Sequence, residues 1–580
     1  MTTSAENHYN LGNEMFQKQG RLEDAIESYK QAIVLKPDFI EAYTNLGAGL
    51  IRQGRLEDAI ESYIQALKIN PDHNETNYNI ANALIGIKFM KPMPNLFQPV
   101  CNLLEKENLV RPTDIAITVS SLLKLDPTIK AIFSKISKGY LPDSLQKNII
   151  DLSNFPLLMK LMKIVPIPDL EFEGVLKTIR SSILRRISKI KNNSETLTFQ
   201  IALALQCFIN EYLYDQTDEE IEALKELENL VERTLNNGQQ PIATELACLA
   251  SYKSLHEYSW HHRLIMPVEL EELQKRQILE PKKEKQLKST IPMLQKIKNN
   301  VSSKVQKQYE QNPYPRWVNF KFPLFVKTTS KILGIDKIDN PQILIAGCGT
   351  GEHSITTASL FKNCNVLAID LSLSSLAYAK RKTEELNISN IEYMQADILD
   401  LTLLDRKFDI IESSGVLHHM DDPMAGWKVL IDCLKTDGFM KIGLYSKLAR
   451  RGAVQIRDEI EQLHIESSHD AMKSFRNKIV NSKEEHHKLI SLSSDFYSMS
   501  TIRDLLFHVQ EHHFTIPQIE ASLTQLGLVF CGFDNVEVVQ NFKSRNLTEN
   551  ALYDLEKWDT FEKENPRAFM GMYQFWCQKV

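Results

Sequence analysis

The segment that most constrains the fold of this 580-residue chain is an apolar run that ends in three alternating glycines, Gly347, Gly349 and Gly351. A helix-like stretch follows, and a second apolar run ends in Asp370. Because glycine has no Cβ, a strand-to-helix turn built from glycines lets a ligand approach the backbone closely. An acid at the end of the second strand can accept hydrogen bonds from ribose hydroxyls. The segment therefore predicts the nucleoside-binding half of a doubly wound α/β domain.

The spacing of these glycines does not fit the dinucleotide-binding fingerprint. That fingerprint requires a third glycine or alanine three residues after the second glycine. The two positions that meet this spacing hold Glu352 and Ser354. A nicotinamide or flavin dinucleotide is therefore not the expected ligand.

The spacing Gly347-x-Gly349-x-Gly351 instead resembles the first motif of the class I S-adenosylmethionine (AdoMet) methyltransferases. Further segments follow in that family's order: Asp370, the strand-like run before Ala396-Asp397, the strand and loop 408–419, and the strand 439–445. The resemblance implies a Rossmann-like doubly wound domain that binds AdoMet, with Asp370 on the ribose and Asp397 at the adenine edge. The cofactor-binding residues that it implies are Gly347, Cys348, Gly349, Gly351, Asp370, Leu371, Asp397, Ile398 and Ser413. A helix N-cap is the alternative role for Asp397.

The N-terminus contains an internal repeat. Residues 19–29 recur as residues 53–63, an offset of 34 positions, which is the period of the tetratricopeptide (TPR) helix–turn–helix unit. The sequence predicts TPR repeats over 1–90, as 5–38, 39–72 and a partial repeat 73–90. Such an array can be a partner-binding platform or a structural cap, and the sequence leaves both open.

Residues 95–300 have helical periodicity and no chemical motif, so we predict a helical middle region of unknown role. It resembles the middle of bacterial proteins that join TPR repeats to a methyltransferase. The stretch from Tyr309 to Trp317 resembles a segment that precedes the catalytic domain in the same group. The resemblance implies that Tyr309 and Tyr314 close over the AdoMet sulfonium, where an aromatic face attracts a cation. A packed hydrophobic linker is the alternative.

The predicted methyltransferase domain covers 305–580 and contains a helical insertion, 446–522, that is rich in histidine. The candidates for a general base are His418, His419, Tyr445 and His508. His508 and His512 are four residues apart but lack the intervening H-E-x-x-H glutamate, so no metal site is predicted. The loop that holds His418 and His419 resembles that of methyltransferases acting on small molecules, and this favours an O- or C-acceptor.

Composition limits the remaining possibilities. The net charge of −6 gives no reason to expect nucleic acid as a partner. The 8 cysteines include no C-x-x-C pair, which suits a reducing compartment. The polar first ten residues do not resemble a signal peptide, and no apolar run approaches the roughly 18 residues that a membrane span needs. We therefore expect a cytoplasmic protein.

The sequence as a whole, with the resemblance described above, predicts a multidomain α and α/β protein that acts as an AdoMet-dependent methyltransferase and transfers the methyl group to an O- or C-acceptor of a small molecule. Two alternatives stay open at this stage. One is a protein methyltransferase that recruits its substrate through the TPR array. The other is a non-catalytic TPR adaptor with a vestigial AdoMet fold.

Overall fold

The computed structural model describes residues 4–18, 20–106, 109–138, 145–190, 193–322, 334–361, 363–546 and 548–580. The chain divides into two compact units. The first comprises residues 1–277 and 317–321, and the second comprises 278–316 and 322–580. The division predicted from the sequence, into 1–90, 95–300 and 305–580, differs from these two units. Its last boundary falls inside a helix, Asn300–Gln311.

The first five helices of the first unit form the pairs that the 34-residue period predicts. They are Ser4–Gln17, Leu22–Leu35, Ile40–Arg52, Leu56–Ile69 and Asn74–Ala83. Each complete pair is closed by a buried tyrosine that lies against a glycine of the partner helix. A Cβ on Gly12 would lie 2.6 Å from the Tyr29 ring, and one on Gly47 would lie 2.3 Å from the Tyr63 ring. The glycines are thus what allows the paired helices to approach.

The rest of the first unit is helical, as predicted. Its helices are Phe97–Glu105, Pro112–Lys124, Pro127–Ser137, Leu145–Ser153, Pro156–Ile164, Leu170–Leu184, Ser194–Ile209, Asp218–Asn236, Ala243–Ala250 and Glu271–Gln274. Ser194–Ile209 is among the most completely buried of them, with 12 of its 16 residues buried. No helix in the described part of the chain is long and apolar enough to cross a membrane.

The second unit is built on a seven-stranded sheet. Its strands are β1 (Gln342–Ala346), β2 (Asn365–Asp370), β3 (Ile391–Gln395), β4 (Phe408–Ser414), β5 (Leu434–Leu444), β6 (Leu528–Phe533) and β7 (Tyr573–Lys579). The order across the sheet is β3-β2-β1-β4-β5-β7-β6. Strands β1 to β5 are parallel, and β7 is antiparallel to both of its neighbours. The predicted doubly wound fold is confirmed.

Helices cover both faces of this sheet. They are Glu280–Lys288, Asn300–Gln311, Glu352–Leu360, Leu373–Glu385, Pro423–Cys433, Ile516–Leu526, Val536–Arg545 and Leu555–Glu564. Alternate residues of each strand enter opposite cores, as Leu344 and Ile345 of β1 do. Strand order reverses between β1 and β4, and ligands of open α/β sheets bind outside the carboxyl ends of the strands at such a point. The topology therefore places the expected site at the ends of β1, β2 and β4.

The helical insertion follows β5 and is shorter than predicted. Its helices are Arg451–Gln462, His469–Val480, Glu485–Ile490 and Met499–Leu506. The predicted end at residue 522 falls within Ile516–Leu526, a helix that packs on the sheet through Ile516, Ile519 and Leu523. The error arose because the amphipathic pattern of this helix is the same whether it belongs to an insertion or to the core layer.

The segment just ahead of the sheet belongs to its core. Leu287 and Ile291 are buried against the face of the sheet that contains Ile343. The buried guanidinium of Arg381 donates to Glu284 at 2.9 Å and lies 3.5 Å from Glu280. Both glutamates lie in the helix Glu280–Lys288. This helix is therefore part of the sheet unit, although the sequence placed it in the middle region.

A fragment that starts at residue 278 should fold, and one that starts at 295 should be less stable. The shorter fragment loses the burial of Leu287 and Ile291, each worth about 1.5–3 kcal/mol. It also removes two carboxylates from the buried Arg381 guanidinium, which is costly for a buried charge. Thermal unfolding of the two fragments measures the difference. Equal melting temperatures would show that the helix Glu280–Lys288 contributes nothing to the sheet unit.

Candidate active site

A cavity of about 260 Å³ lies at the carboxyl ends of the parallel strands. The glycine turn after β1, the acid that ends β2 and the loop after β4 all line it. Eleven of the residues singled out from the sequence contribute to its wall. They are Tyr309, Tyr314, Gly347, Cys348, Gly349, Asp370, Leu371, Asp397, Ile398, His419 and Tyr445. Residues that lie far apart in the sequence and were predicted to form one site thus line one cavity.

The glycine turn is built for close approach. Gly347, Gly349 and Gly351 have φ angles of 83°, 53° and 88°, a region that side chains with a Cβ rarely adopt. A Cβ on Gly349 would lie 2.7 Å from the carbonyl oxygen of Tyr314, and one on Gly347 would lie 2.2 Å from Val416. Gly351 faces away from the cavity, because its Cβ position lies 2.6 Å from Ala379. It serves helix packing rather than ligand contact.

Two backbone hydrogen bonds fix the turn beside β2. The backbone N–H groups of Gly347 and Cys348 both donate to the Ile369 carbonyl at 2.9 Å. Burial raises the pKa of the Cys348 thiol well above its usual value, so this cysteine is a neutral wall of the cavity.

Asp370 is held by the backbone on both sides. Its carboxylate accepts from the N–H of Gly349 and from that of Ser372, each at 2.9 Å. Burial raises the pKa of Asp370, and these two hydrogen bonds oppose that effect. The side chain therefore connects the end of β2 to the glycine turn and also lines the cavity, where the ribose contact was expected.

Asp397 has the structural role that the sequence left open as an alternative. It caps the 3-10 helix Ile398–Leu404 by accepting from the N–H of Leu399 at 3.1 Å. It also lines the cavity together with Ile398. Burial raises the pKa of this carboxyl group as well. One side chain thus combines the N-cap with a position at the cavity wall.

Strand alternation separates Ser413 from the cavity. The Ser413 hydroxyl donates to the Ala346 carbonyl at 3.1 Å, inside the sheet. The next residue, Ser414, lines the cavity, and its buried hydroxyl has no hydrogen-bond partner among the described residues. Neighbouring residues of a strand face opposite sides. Ser414, and not the expected Ser413, is therefore the serine that faces the cavity.

The segment that precedes the sheet forms one wall of the cavity. The Tyr309 and Tyr314 rings are nearly parallel, with centroids 6.3 Å apart, and burial raises both of their pKa values. The Glu310 carboxylate accepts from the Leu373 N–H at 2.5 Å, at the start of the helix Leu373–Glu385. The Thr350 hydroxyl donates to the Pro315 carbonyl. The segment is therefore anchored to the glycine turn and to a core helix.

The histidines gather at the other end of the cavity. The rings of His419 and His508 stack with centroids 3.6 Å apart. Nδ1 of each lies 2.7 Å from the Gln510 carbonyl oxygen, which can only accept, so Nδ1 of His419 carries the proton. His508 Nδ1 can instead accept from the Gln510 N–H, which lies 3.2 Å away. Burial lowers the pKa of His419 to about 3 and that of His508 to about 4. Both imidazoles are therefore neutral near pH 7.

Two of the four candidate bases do not line the cavity. His418 is fully buried, and neither of its ring nitrogens has a partner in the described part of the chain. Its ring packs 4.0 Å from that of Tyr445, which makes it a packing residue. His508 contacts the cavity wall through the stacked His419 ring and through Tyr309, whose hydroxyl lies 3.1 Å from His508 Nε2. It therefore supports the wall without lining the cavity itself.

The residue that sequence reasoning missed is Asp504. Its buried carboxylate lines the cavity and accepts from the Tyr309 hydroxyl at 2.6 Å. The ligating atoms of Asp504, His419 and His508 lie within 4.8 Å of one another. The only signal in the sequence was a lone acid four residues before His508. The cavity therefore has a carboxylate at the end that holds the histidines.

Replacement of Gly349 by alanine should disturb the cavity without unfolding the protein. The new Cβ would collide with the backbone of Tyr314, and a left-handed backbone costs an alanine about 1–2 kcal/mol. We expect nucleoside affinity to fall by about tenfold or more, since a loss of 1.4 kcal/mol is one factor of ten. Calorimetric titration with AdoMet measures it.

Gly452→Ala is the matched control, because a Cβ at Gly452 meets no atom within 4 Å. It should bind AdoMet as the unmodified chain does. Equal affinity in the Gly349 and Gly452 variants would contradict the proposed close approach.

Acidification should destabilise the protein through the histidine cluster. An unfolded histidine titrates near about 6.5, while burial holds the pKa of His419 at about 3 and that of His508 at about 4. The unfolded chain therefore binds more protons below that pH, and stability falls as the pH falls. At pH 5 each neutral histidine costs about 2 kcal/mol. Melting temperatures at pH 7 and pH 5 measure this loss.

The variant His419→Gln provides the comparison for this loss. A glutamine amide can still donate to the Gln510 carbonyl but does not titrate. The variant should therefore lose less melting temperature on acidification than the unmodified chain. An identical loss in both proteins would show that His419 does not contribute.

Comparison with known proteins identifies the domains. Residues 343–438 match a model described as a methyltransferase domain. Residues 12–48 match one described as a TPR repeat, and residues 40–73 match one described as a tetratricopeptide repeat. The predicted combination of repeats and methyltransferase domain is confirmed.

Individual relatives match only parts of the chain. An uncharacterized protein of Synechococcus sp. is 27% identical over 39% of this chain and 57% of its own length. The (S)-coclaurine N-methyltransferase of Papaver somniferum is 28% identical over 18% of this chain and 29% of its own length. The structure of PKMT2 from Rickettsia typhi is 17% identical, covers 44% of this chain and 54% of that chain, and gives a TM-score of 0.33. The chain thus spans little more than half the length of the Synechococcus relative. Its matched regions are a methyltransferase domain and N-terminal TPR repeats.

Proposed function

We propose that the cavity binds AdoMet and transfers its methyl group to an oxygen or carbon atom of a small molecule. The observation that carries this proposal is that one cavity has two chemically different ends. The glycine turn, Asp370 and Asp397 form one end, and Asp504 and His419 form the other. The first end suits a nucleoside, and the second suits the positioning and deprotonation of a nucleophile.

The wall of the cavity fits this cofactor. The buried Ser414 hydroxyl lacks a partner among the described residues, so a ligand can supply one. The position of Gly349 leaves space that a Cβ would fill. The faces of Tyr309 and Tyr314 suit a cationic group, an attraction worth about 0.5–2 kcal/mol. When bound, AdoMet supplies a methyl group that its positively charged sulfur has already activated.

The residues at the other end can receive a proton from the acceptor. Nδ1 of His419 is bound to the Gln510 carbonyl, so Nε2 presents a lone pair. Nε2 accepts the hydrogen bond of an acceptor hydroxyl and takes its proton as the hydroxyl oxygen attacks. The nearby Asp504 carboxylate stabilises the imidazolium that results. Holding the reactants in line supplies much of the remaining catalysis.

The size of the cavity favours a small acceptor. The cavity of about 260 Å³ lies just below the roughly 300–1,000 Å³ that is usual for small-molecule sites. The loop Val416–His419 resembles that of small-molecule methyltransferases and lacks the Asn/Asp-Pro-Pro-Tyr/Phe pattern of N-methylating enzymes. The size of the cavity supports a small acceptor, and the loop supports an O- or C-acceptor.

The wider setting is also part of the proposal. The TPR array provides paired helices of the kind that bind other proteins, so we expect a protein partner for residues 1–90. All 8 cysteines are buried, and no disulfide bond joins any two of them in the described part of the chain. Reduced thiols in this number suit a reducing cytoplasm.

Replacement of Asp370 by alanine tests cofactor binding. It removes the carboxylate that we place on the ribose hydroxyls, and hydrogen bonds to a charged group are worth about 1.5–3 kcal/mol. AdoMet affinity should fall by about ten- to a hundredfold in calorimetry. Because Asp370 also accepts from Gly349 and Ser372, the melting temperature of the variant must be measured alongside. Unchanged affinity in a folded variant would contradict the assignment.

Isotopically labelled AdoMet tests the acceptor class. The purified chain is incubated with the small-molecule fraction of a bacterial extract and, separately, with the protein fraction. We expect label in the small-molecule fraction and less label with Asp504→Asn, which keeps the size of the side chain but removes its charge. Label confined to the protein fraction would contradict a small acceptor while leaving methyl transfer intact.

A further inference from the structure

The helical insertion holds a second group of titratable side chains, away from the cavity. His486 and His487 lie on the helix Glu485–Ile490, and Glu459 lies on the helix Arg451–Gln462. His486 Nε2 lies 2.6 Å from one carboxylate oxygen of Glu459. His487 Nε2 lies 3.1 Å from the other. Both imidazoles therefore meet one carboxylate.

This convergence is unusual for consecutive residues of a helix. With about 3.6 residues per turn, neighbours point roughly 100° apart and do not face the same partner. Yet the His486 and His487 rings have centroids only 4.3 Å apart. The ligating atoms of His486, His487 and Glu459 all lie within 4.8 Å of one another. A positive charge shared between these groups would account for the arrangement.

The surroundings of His487 suit a metal ligand. Its Nδ1 lies 2.7 Å from the Ser482 hydroxyl oxygen, and that oxygen also accepts from the Glu484 N–H at 3.1 Å. When the Ser482 hydroxyl oxygen accepts a hydrogen bond from Nδ1–H, Nε2 presents its lone pair toward Glu459. A metal-binding histidine almost always donates its other ring N–H in this way.

The exposure of the group also suits an ion with one open position. The exposed fractions of the side chains are 4% for His487, 20% for His486 and 28% for Glu459. An ion from solution can therefore reach the group, and water can complete its coordination. The group at the cavity is different, because the Tyr309 hydroxyl already contacts both Asp504 and His508.

We propose that Glu459, His486 and His487 bind a divalent transition-metal ion of the zinc type. Two imidazoles and a carboxylate form a ligand set that zinc accepts, with water as the fourth ligand. Calcium and magnesium prefer sites made of oxygen atoms. This proposal does not depend on the proposed methyl transfer, and it differs from the sequence expectation because that considered only His508 and His512.

The ion would fix a helix that supports the cavity. Arg457 lies on the same helix as Glu459 and donates to the His508 carbonyl at 2.9 Å. Arg450 directly precedes this helix, and its guanidinium lies 3.7 Å above the Tyr445 ring. Joining Glu459 to the helix Glu485–Ile490 would therefore hold both arginines in place.

Titration of the full chain with zinc tests the proposal. The protein carries no histidine tag and is first freed of metal with a chelator. Calorimetry should show one ion per chain with a dissociation constant in the micromolar range or tighter. Co²⁺ in place of zinc should give the visible absorption of a low-symmetry, imidazole-bound ion. Absence of zinc binding at micromolar concentrations would overturn the proposal.

Four variants locate the ion. Glu459→Gln and His486→Ala should abolish binding in this range, and Ser482→Ala should weaken it by about 10- to 100-fold, as loss of an outer partner does. The exposed His464 lies in the same insertion, so His464→Ala is the control and should bind normally. Melting temperatures confirm that each variant is folded.

Two results would overturn the assignment. One is zinc binding that is unchanged in Glu459→Gln. The other requires a further variant, His419→Ala: zinc binding that survives in Glu459→Gln and His486→Ala but is lost in His419→Ala would place the ion at the cavity. AdoMet affinity is measured on the same samples. A chain that binds zinc as proposed but does not bind AdoMet would contradict the proposed function alone.

Discussion

The contact on which the rest of the site depends is the one between the glycine turn and the segment Tyr309–Pro315. The carbonyl oxygen of Tyr314 lies only 2.7 Å from where a Cβ of Gly349 would be, and the Thr350 hydroxyl donates to the next carbonyl, that of Pro315. Only a glycine permits this approach. Because the segment is held there, the Tyr309 hydroxyl reaches Asp504 on the far side of the cavity. The glycine spacing thus positions the aromatic wall as well as a ligand.

Burial decides the charge state of most groups around the cavity. It raises the pKa values of Asp370 and Asp397, and backbone hydrogen bonds compensate it in part. It lowers the pKa values of His419 and His508, whose Nδ1 atoms both face the Gln510 carbonyl. The nucleoside end is therefore formed by acids that the backbone stabilises. The opposite end is formed by neutral imidazoles beside a carboxylate, an arrangement that can accept a proton.

The sequence predicted those parts of the fold that local patterns determine. Strands β1 to β4 were found because each is an apolar run that ends in a turn or an acid, and the glycine turn has its own spacing. Three features depended on tertiary structure instead. Ser414 replaces Ser413 because alternation in β4 is fixed only by its neighbours. The helix Ile516–Leu526 looks the same in an insertion or a core layer. The hydrogen bond between Tyr309 and Asp504 joins residues that are 195 positions apart, a pairing that no local pattern indicates.

The helical insertion does more than cover the sheet. Arg450 and Arg457 both contact the Glu511 carboxylate, at 3.0 and 3.4 Å, and the pKa of Glu511 is about 2 because its hydrogen bond with His513 and these arginines overcome the effect of burial. Glu511 directly follows Gln510, whose carbonyl oxygen lies 2.7 Å from Nδ1 of both cavity histidines. A shift of the helix Arg451–Gln462 would therefore move the carbonyl that orients these imidazoles. Their orientation thus depends on ion pairs outside the cavity, which is why Glu459, a residue that does not line the cavity, can influence the chemistry proposed for the cavity.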